Sequence, residues 1–178
     1  DDYCNWSRIA PFEDAAWQSP AAEVAADLMG SDTTQLFHDH VLVKEPGTSK
    51  PTPWHQDSPY YFVEGTQTVS FWSPLDPVRA ASLRCVAGSH KWPREVLPTR
   101  WLSEPDFYPA DAAFMPVPDP DAEGMNILEY EMEPGDAVAF HYRILHGARG
   151  NDATDRRRAF SLRLLGDDAR YVERPGPT

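Results

Sequence analysis

Residues 127–147 read ILEYEMEPGDAVAFHYRILHG and predict two β-strands joined by a tight turn. Apolar, β-branched and aromatic residues are frequent on both sides of the Pro-Gly-Asp sequence at residues 134–136, which is typical of a turn between strands. We therefore expect strands over residues 127–132 and 137–145. The fold class then depends on how many other segments share this character.

Five further segments of the same kind occur along the chain. They cover residues 35–44, 52–57, 67–72, 82–86 and 159–165. A regular alternation of strands and helices, which a parallel doubly wound sheet would need, is absent. The sequence therefore predicts an all-β core built as a sandwich or jelly roll. One flanking helix is expected over residues 21–29, with Ser19 as its N-cap and Gly30 at its end.

A long segment, residues 91–125, interrupts the series of strands. It holds seven prolines and many acidic residues, so we expect a surface insertion or a lid. The chain of 178 residues has the length of one domain, which we assign to residues 1–178. Because the first residue is not Met, we expect that upstream residues are missing.

The composition argues against two classes of partner. A formal net charge of −12 repels phosphate groups, so we expect neither nucleic acid nor an anionic membrane surface to bind. No apolar run approaches the roughly 20 residues that cross a bilayer. Cys4 and Cys85 are expected to be free thiols in a reducing compartment, which predicts a cytoplasmic location. A disulfide between them stays open, and so does the oligomeric state.

The strongest local signal for chemistry is the sequence Trp-His-Gln-Asp at residues 54–57. In an extended segment, residues i and i+2 point to the same side, so His55 and Asp57 can present an imidazole and a carboxylate to one point. His146 is the candidate for a third ligand. If residues 137–146 form one strand, His146 shares its more apolar, inward face, whereas His141 faces outward.

Two histidines and one carboxylate on one face of a metal ion form the facial triad of non-heme Fe(II) oxygenases. The remaining octahedral positions stay open, which leaves room for a cosubstrate with two donor atoms and for O₂. A histidine and an aspartate two residues apart are common by chance. The second histidine on a late strand therefore strengthens the prediction of a metal site.

Arg157 lies eleven residues after His146, within a run of three arginines. Alternation along the last strand places Arg157 on the face that also carries Ser161 and Arg163, and puts apolar residues on the other face. A buried guanidinium needs an anionic partner, and a bound dicarboxylate could supply one through a bidentate contact.

At this point the sequence resembles a known family, the phytanoyl-CoA dioxygenase (PhyH)-like Fe(II)/2-oxoglutarate-dependent oxygenases. Four stretches within residues 35–174 carry the resemblance: KEPGTSKPTPWHQD, SLRCVAGSHKW, EPGDAVAFHYRILHGARGN and RRRAFSLR. It implies a double-stranded β-helix, a cupin-like jelly roll, with Fe(II) held by His55, Asp57 and His146. It also implies a dioxygenase that uses O₂ to hydroxylate an unactivated C–H bond of a small molecule, while 2-oxoglutarate is decarboxylated to succinate and CO₂.

The resemblance further implies residues for the cosubstrate. The far carboxylate of 2-oxoglutarate would pair with Arg157, and Trp72 and His40 would line the same pocket. Some members of the family carry a hydroxyl residue two positions after the distal histidine, where this chain has Ala148. We therefore expect one hydrogen bond to the far carboxylate to be missing or to come from elsewhere.

Two alternatives stay open. His38, His40 and Glu45 match the first motif of cupins and would form a different metal site, although their odd spacing puts Glu45 on the other face of the strand. A jelly roll that binds a ligand without turnover is the second alternative, and Ala148 is the feature in its favour. Metal binding by histidine variants and release of succinate distinguish these possibilities.

Overall fold

Two antiparallel β-sheets form the core in a computed structural model, which describes residues 2–99 and 113–174. In chain order the strands are β1 (Asp2–Tyr3), β2 (Gln35–Lys44), β3 (Thr52–His55), β4 (Val63–Glu64), β5 (Thr68–Pro74), β6 (Arg84–Val86), β7 (Glu95–Val96), β8 (Phe114–Met115), β9 (Ile127–Glu129), β10 (Val138–Phe140), β11 (His146–Ala148), β12 (Arg157–Leu165) and β13 (Arg170–Tyr171). The larger sheet has the order β1-β2-β12-β5-β10, and the smaller sheet has the order β3-β11-β6-β9. The predicted all-β jelly roll is confirmed.

Two helices pack on the larger sheet, where one was predicted. Helix α2 (Ala21–Met29) is the predicted one, and Gly30 ends it in the left-handed conformation at φ 62°. Its N-cap is Pro20 rather than Ser19, although the Ser19 hydroxyl accepts the N–H of Ala21 at 3.3 Å. Helix α1 (Ala10–Trp17) has no counterpart in the sequence prediction, since its eight residues are too few for a clear helical period.

The predicted strand over residues 137–145 is wrong in its second half. β10 ends at Phe140, and a turn then carries the chain from the larger sheet to β11 in the smaller sheet. The Tyr142 carbonyl accepts N–H bonds from Asp57 at 2.9 Å and from Ser58 at 3.2 Å, so it is unavailable to a strand partner. His146 therefore lies on a different strand from Val138–Phe140, and the alternation of side chains along β10 does not determine which way His146 points.

The face of the larger sheet that looks toward the smaller sheet carries polar residues. Cross-strand partners share a face, and the register pairs Arg157 with Lys44 and Arg163 with both His38 and Ser70. We call this set the inner polar stripe. It consists of His38, His40, Lys44, Ser70, Arg157, Ser161 and Arg163. The opposite face of β12 is apolar and packs against the helices.

The predicted insertion, residues 91–125, is described only in part, because residues 100–112 lie outside the described residues. The described parts on either side of this gap include β7 and β8, which pair in parallel. Val96 and Met115 pack with Leu145 in an apolar cluster on the smaller sheet. Trp54 belongs to the same cluster, which places it on the opposite side of β3 from His55.

The N-terminal arm, residues 2–6, lies along β2. β1 pairs with residues 40 and 41, and the buried Asp39 carboxylate accepts the N–H groups of Asn5 at 2.9 Å and Trp6 at 3.0 Å. Cys4 on this arm is exposed and Cys85 is buried, and both are free thiols, as predicted. Among the described residues, neither helix is long and apolar enough to cross a membrane.

Candidate metal centre

His55, Asp57 and His146 converge between the two sheets. His55 ends β3 and His146 begins β11, and the two residues are direct partners in the smaller sheet, with ring centroids 4.2 Å apart. Asp57 Oδ1 lies 3.7 Å from His55 Nε2 and 3.8 Å from His146 Nε2. All three residues are buried, and no other such group of potential ligands occurs among the residues that the structure describes.

Backbone carbonyls orient both imidazole rings. His55 Nδ1 donates to the Pro53 carbonyl at 2.7 Å, and His146 Nδ1 donates to the Ile144 carbonyl at 2.9 Å. Because a carbonyl only accepts, Nδ1 carries the hydrogen and Nε2 keeps its lone pair. Both lone pairs are therefore available to a metal ion, and outer hydrogen bonds of this kind fix the rings of metal-binding histidines.

Gln56 connects the segments that carry these residues. It is fully buried, its amide nitrogen donates to the Arg143 carbonyl at 2.6 Å, and its amide oxygen accepts the Val96 N–H at 2.8 Å. The side chain thus ties the His55–Asp57 loop to the turn before His146 and to β7. Gln56 carries no local signal for this role in the sequence, because its two partners lie 40 and 87 residues away.

Arg163 holds the carboxylate of Asp57. Its Nε lies 3.2 Å from Asp57 Oδ2, which also accepts the Ser70 hydroxyl at 3.4 Å. Oδ2 is therefore engaged by the larger sheet, while Oδ1 faces the two imidazoles. Strand alternation predicts that Arg163 shares a face with Arg157 but assigns it no role, although a second arginine on that face was a visible signal.

The protonation states suit a divalent metal. Burial, together with the charge of His146, lowers the pKa of His55 to about 3, and burial also lowers the pKa of His146. Burial alone would raise the pKa of Asp57, but Arg163 and the two histidines outweigh it and hold that pKa well below its usual range. At neutral pH the group therefore offers two neutral imidazoles and one carboxylate, the donor set of a facial triad.

Arg157 lies at the other end of the stripe, where no described residue supplies a counter-charge. It is buried, and its Nε has no hydrogen-bond partner among the described residues. Its guanidinium lies 5.4 Å from the centre of the Trp72 ring, and burial lowers the pKa of Arg157 to about 10. His40 Nε2 is likewise buried, and no described residue forms a hydrogen bond with it. An anion bound at this end would meet these polar groups, so the residues fit a carboxylate.

The structure does not favour the cupin-type alternative. Glu45 is exposed, and its carboxylate pairs with Arg156 Nε at 2.9 Å instead of meeting His38 and His40. His141 is separate from the triad as well, since its Nε2 donates to the Thr66 carbonyl at 3.0 Å. Of the six histidines, only His55 and His146 therefore meet a carboxylate of the described residues as potential metal ligands.

Curated relatives and solved structures resemble this chain over most of its length. A probable phytanoyl-CoA dioxygenase from Caenorhabditis elegans is 31% identical over an alignment that covers 88% of this chain and 51% of that protein. The crystal structure of SnoK, a non-heme alpha-ketoglutarate-dependent carbocyclase from nogalamycin biosynthesis, has a TM-score of 0.79 at 24% identity, covering 98% of this chain and 66% of that one. The epimerase SnoN, solved with Fe3+, alpha-ketoglutarate and nogalamycin RO, has a TM-score of 0.76 at 22% identity, covering 97% and 65%.

These likenesses differ in what they establish. The two solved structures are less than 25% identical and support the fold. The chain spans about half the length of the curated relatives it matches. The family model for phytanoyl-CoA dioxygenase (PhyH) matches residues 1–159, which is most of the chain. The chain therefore belongs to the phytanoyl-CoA dioxygenase (PhyH) family.

Proposed function

We propose that the protein is a non-heme Fe(II)- and 2-oxoglutarate-dependent dioxygenase that hydroxylates a C–H bond of a small organic molecule. The observation that carries this proposal is the buried convergence of two neutral imidazoles and one carboxylate in His55, His146 and Asp57. Membership of the PhyH family supports it, as does the structural likeness to SnoN, which was solved with Fe3+ and alpha-ketoglutarate.

The triad would hold the ferrous ion through His55 Nε2, Asp57 Oδ1 and His146 Nε2. When bound, iron and 2-oxoglutarate supply the oxidative chemistry, in which the cosubstrate is decarboxylated to succinate and CO₂ and an oxygen atom of O₂ enters the substrate. The protein positions these groups and keeps solvent out. Burial of all three ligands serves both purposes.

Other residues of the inner polar stripe would orient the partners of the metal. Arg157 would bind the far carboxylate of 2-oxoglutarate beside the Trp72 ring, and His40 would line the same pocket. Arg163 would keep Asp57 in one orientation, because its contact with Oδ2 leaves Oδ1 for the metal. Each of these tasks is positional, and none of them requires the side chain to change its protonation state.

Anaerobic reconstitution tests the proposal. We expect the protein to bind Fe(II) and then 2-oxoglutarate, and to release succinate when O₂ and an accepted substrate are added. His146→Ala should abolish metal binding, whereas the matched His141→Ala should retain it. If the wild-type protein binds neither Fe(II) nor 2-oxoglutarate, the proposal is wrong; if His38→Ala removes the metal and His146→Ala does not, the cupin-type site is the better account.

Release of succinate also separates an enzyme from a jelly roll that binds ligands without turnover. A cosubstrate that binds normally but yields no succinate across a broad set of substrates would favour the non-catalytic alternative. The cytoplasmic location, the single domain over residues 1–178 and the exclusion of nucleic acid and membranes stay predictions from composition.

A further inference from the structure

Lys44 and Arg157 stand directly opposite each other in the register of β2 and β12. Both belong to the inner polar stripe, and both are buried, with exposed fractions of 9% and 5%. Side chains in such a pair start roughly 5 Å apart, and like charges directly opposite each other are destabilising. The pair therefore needs an anion nearby or some other compensation.

The described residues provide no carboxylate for either cation. Lys44 Nζ donates to the Arg149 carbonyl at 2.6 Å and to the Lys50 carbonyl at 3.3 Å, which leaves one of its three hydrogens for another acceptor. Arg157 Nε has no hydrogen-bond partner among these residues. The other two buried arginines behave differently, since Arg84 contacts Asp121 and Arg163 contacts Asp57.

Burial and the charge of Arg157 lower the pKa of Lys44 to about 8, so the ammonium form still prevails at neutral pH. Its contact with the Arg149 carbonyl also places Nζ one residue beyond Ala148, which ends β11. An ammonium group therefore lies close to the end of β11, where the chain offers no side-chain hydroxyl.

We propose that Lys44 is a second cationic contact for the far carboxylate of 2-oxoglutarate, acting beside Arg157. This inference rests on the proposed function. A carboxylate between the two cations attracts both of them and reduces their mutual repulsion. The guanidinium binds through a planar fork and the ammonium as a point charge, so one carboxylate can engage both. Lys44 then contributes to selecting a dicarboxylate over keto acids that lack the second carboxyl group.

Anaerobic calorimetry on Mn(II)-loaded protein tests this with two ligands. One is 2-oxoglutarate, and the other is 2-oxopentanoate, which carries a methyl group in place of the far carboxylate. We expect Lys44→Met to weaken binding of 2-oxoglutarate by about 10- to 100-fold, the range for a hydrogen bond to a charged group. Binding of 2-oxopentanoate should change by less than about 3-fold, since the lost contact is absent from that complex.

Two further variants control for folding and for net charge. Lys44→Gln keeps a donor for the Arg149 carbonyl and should also lose affinity selectively for 2-oxoglutarate. Lys91→Met removes the charge of an exposed lysine outside the larger sheet and should leave both affinities unchanged.

The outcomes separate this inference from the proposed function. Equal losses for both ligands, or no loss for either, would show that Lys44 acts only on the loop around Arg149. Loss of discrimination in Arg157→Met but not in Lys44→Met or Lys44→Gln would overturn the inference and leave the proposed function standing. If the wild-type protein binds neither acid, both fail.

Discussion

The two ends of the inner polar stripe differ in how their buried charges are compensated. At the triad end, Asp57 contacts Arg163, and both histidines donate Nδ1–H to backbone carbonyls. At the other end, Arg157 and Lys44 face each other without a carboxylate among the described residues. One end is complete within the protein, whereas the other has an excess of positive charge.

This difference indicates that the two ends of the stripe would bind their ligands in different ways. The side chains at the triad end are already ordered without a metal ion. Metal binding therefore loses little free energy to ordering them. The other end would gain its counter-charge only when a dicarboxylate binds. Arg157 and Arg163 form a matched pair for testing this, because they share a strand, a face and an exposed fraction of 5%.

Arg163→Met should produce the largest effect on stability. The substitution leaves the Asp57 carboxylate buried without its cation, which typically costs about 3–5 kcal/mol. We expect that loss in the free energy of unfolding of the metal-free protein, measured by urea denaturation at pH 7. Adding Asp57→Asn should recover part of it, because the uncompensated charge is then gone. A loss below about 1 kcal/mol would contradict a tightly paired triad end.

Acid should weaken the triad end next. The pKa of every histidine in the chain is lowered, so near pH 5.5 the unfolded chain binds protons that the folded chain does not. The free energy of unfolding is therefore highest above about pH 6.5. It falls as the pH drops below that value, by about 1.4 kcal/mol per pH unit for each fully buried histidine. For His55, whose pKa is about 3, this gives about 1 kcal/mol between pH 6 and pH 5, and the other histidines add to it because their pKa values are lowered as well.

Urea denaturation of the metal-free protein at pH 7.5, 6 and 5 measures this dependence. At the other end Lys44 and Arg157 should contribute little, since both stay largely protonated over that range, whereas His40 adds to the loss because burial lowers its pKa to about 4. A flat profile would mean that the two buried histidines titrate as they do in the unfolded chain.

Gln56→Leu should cost about 2 kcal/mol of unfolding free energy, because the Arg143 carbonyl and the Val96 N–H each lose a buried partner. Metal affinity should fall as well, since the two ligand-bearing segments are then less firmly joined. Gln18→Leu is the matched control at an exposed position and should change neither quantity. Wild-type metal affinity in Gln56→Leu would show that the triad does not depend on this connection.

Arg157→Met should have the smallest effect on stability, less than about 1 kcal/mol in either direction, because it removes a buried charge that has no ion pair. Binding of 2-oxoglutarate should nevertheless weaken by at least about 10-fold. Arg156→Met, one residue away at an exposed ion pair, should preserve that binding. If Arg157→Met destabilises the protein as much as Arg163→Met, the two ends do not differ as described.

The local patterns of the sequence predicted much of the fold. The bounds of β2 agree with the prediction, and β12 extends the predicted strand by two residues, to Arg157. His55 and Asp57 are two residues apart, so strand geometry predicted their convergence, although β3 ends at His55 and Asp57 lies in the loop that follows it. The family resemblance supplied the jelly-roll topology, which periodicity alone left as one of two possibilities.

The remaining features depend on contacts between distant residues. The structure brings His146 to His55, but not by the predicted strand parity, since the chain changes sheets at a turn held by the Tyr142 carbonyl. Arg163 meets Asp57 across 106 residues of sequence. Patterns within a short window do not contain such pairings, so the triad was predictable while its supports were not.

The N-terminal arm has a consequence for how molecules meet in solution. β2 is ten residues long and would otherwise border the larger sheet, offering unpaired backbone groups to a strand from another molecule. Asp39 holds the N-terminal arm against the middle of β2, because its carboxylate accepts hydrogen bonds from the N–H groups of Asn5 and Trp6. A single carboxylate on the far side of the sheet from the metal ligands thereby discourages edge-to-edge aggregation.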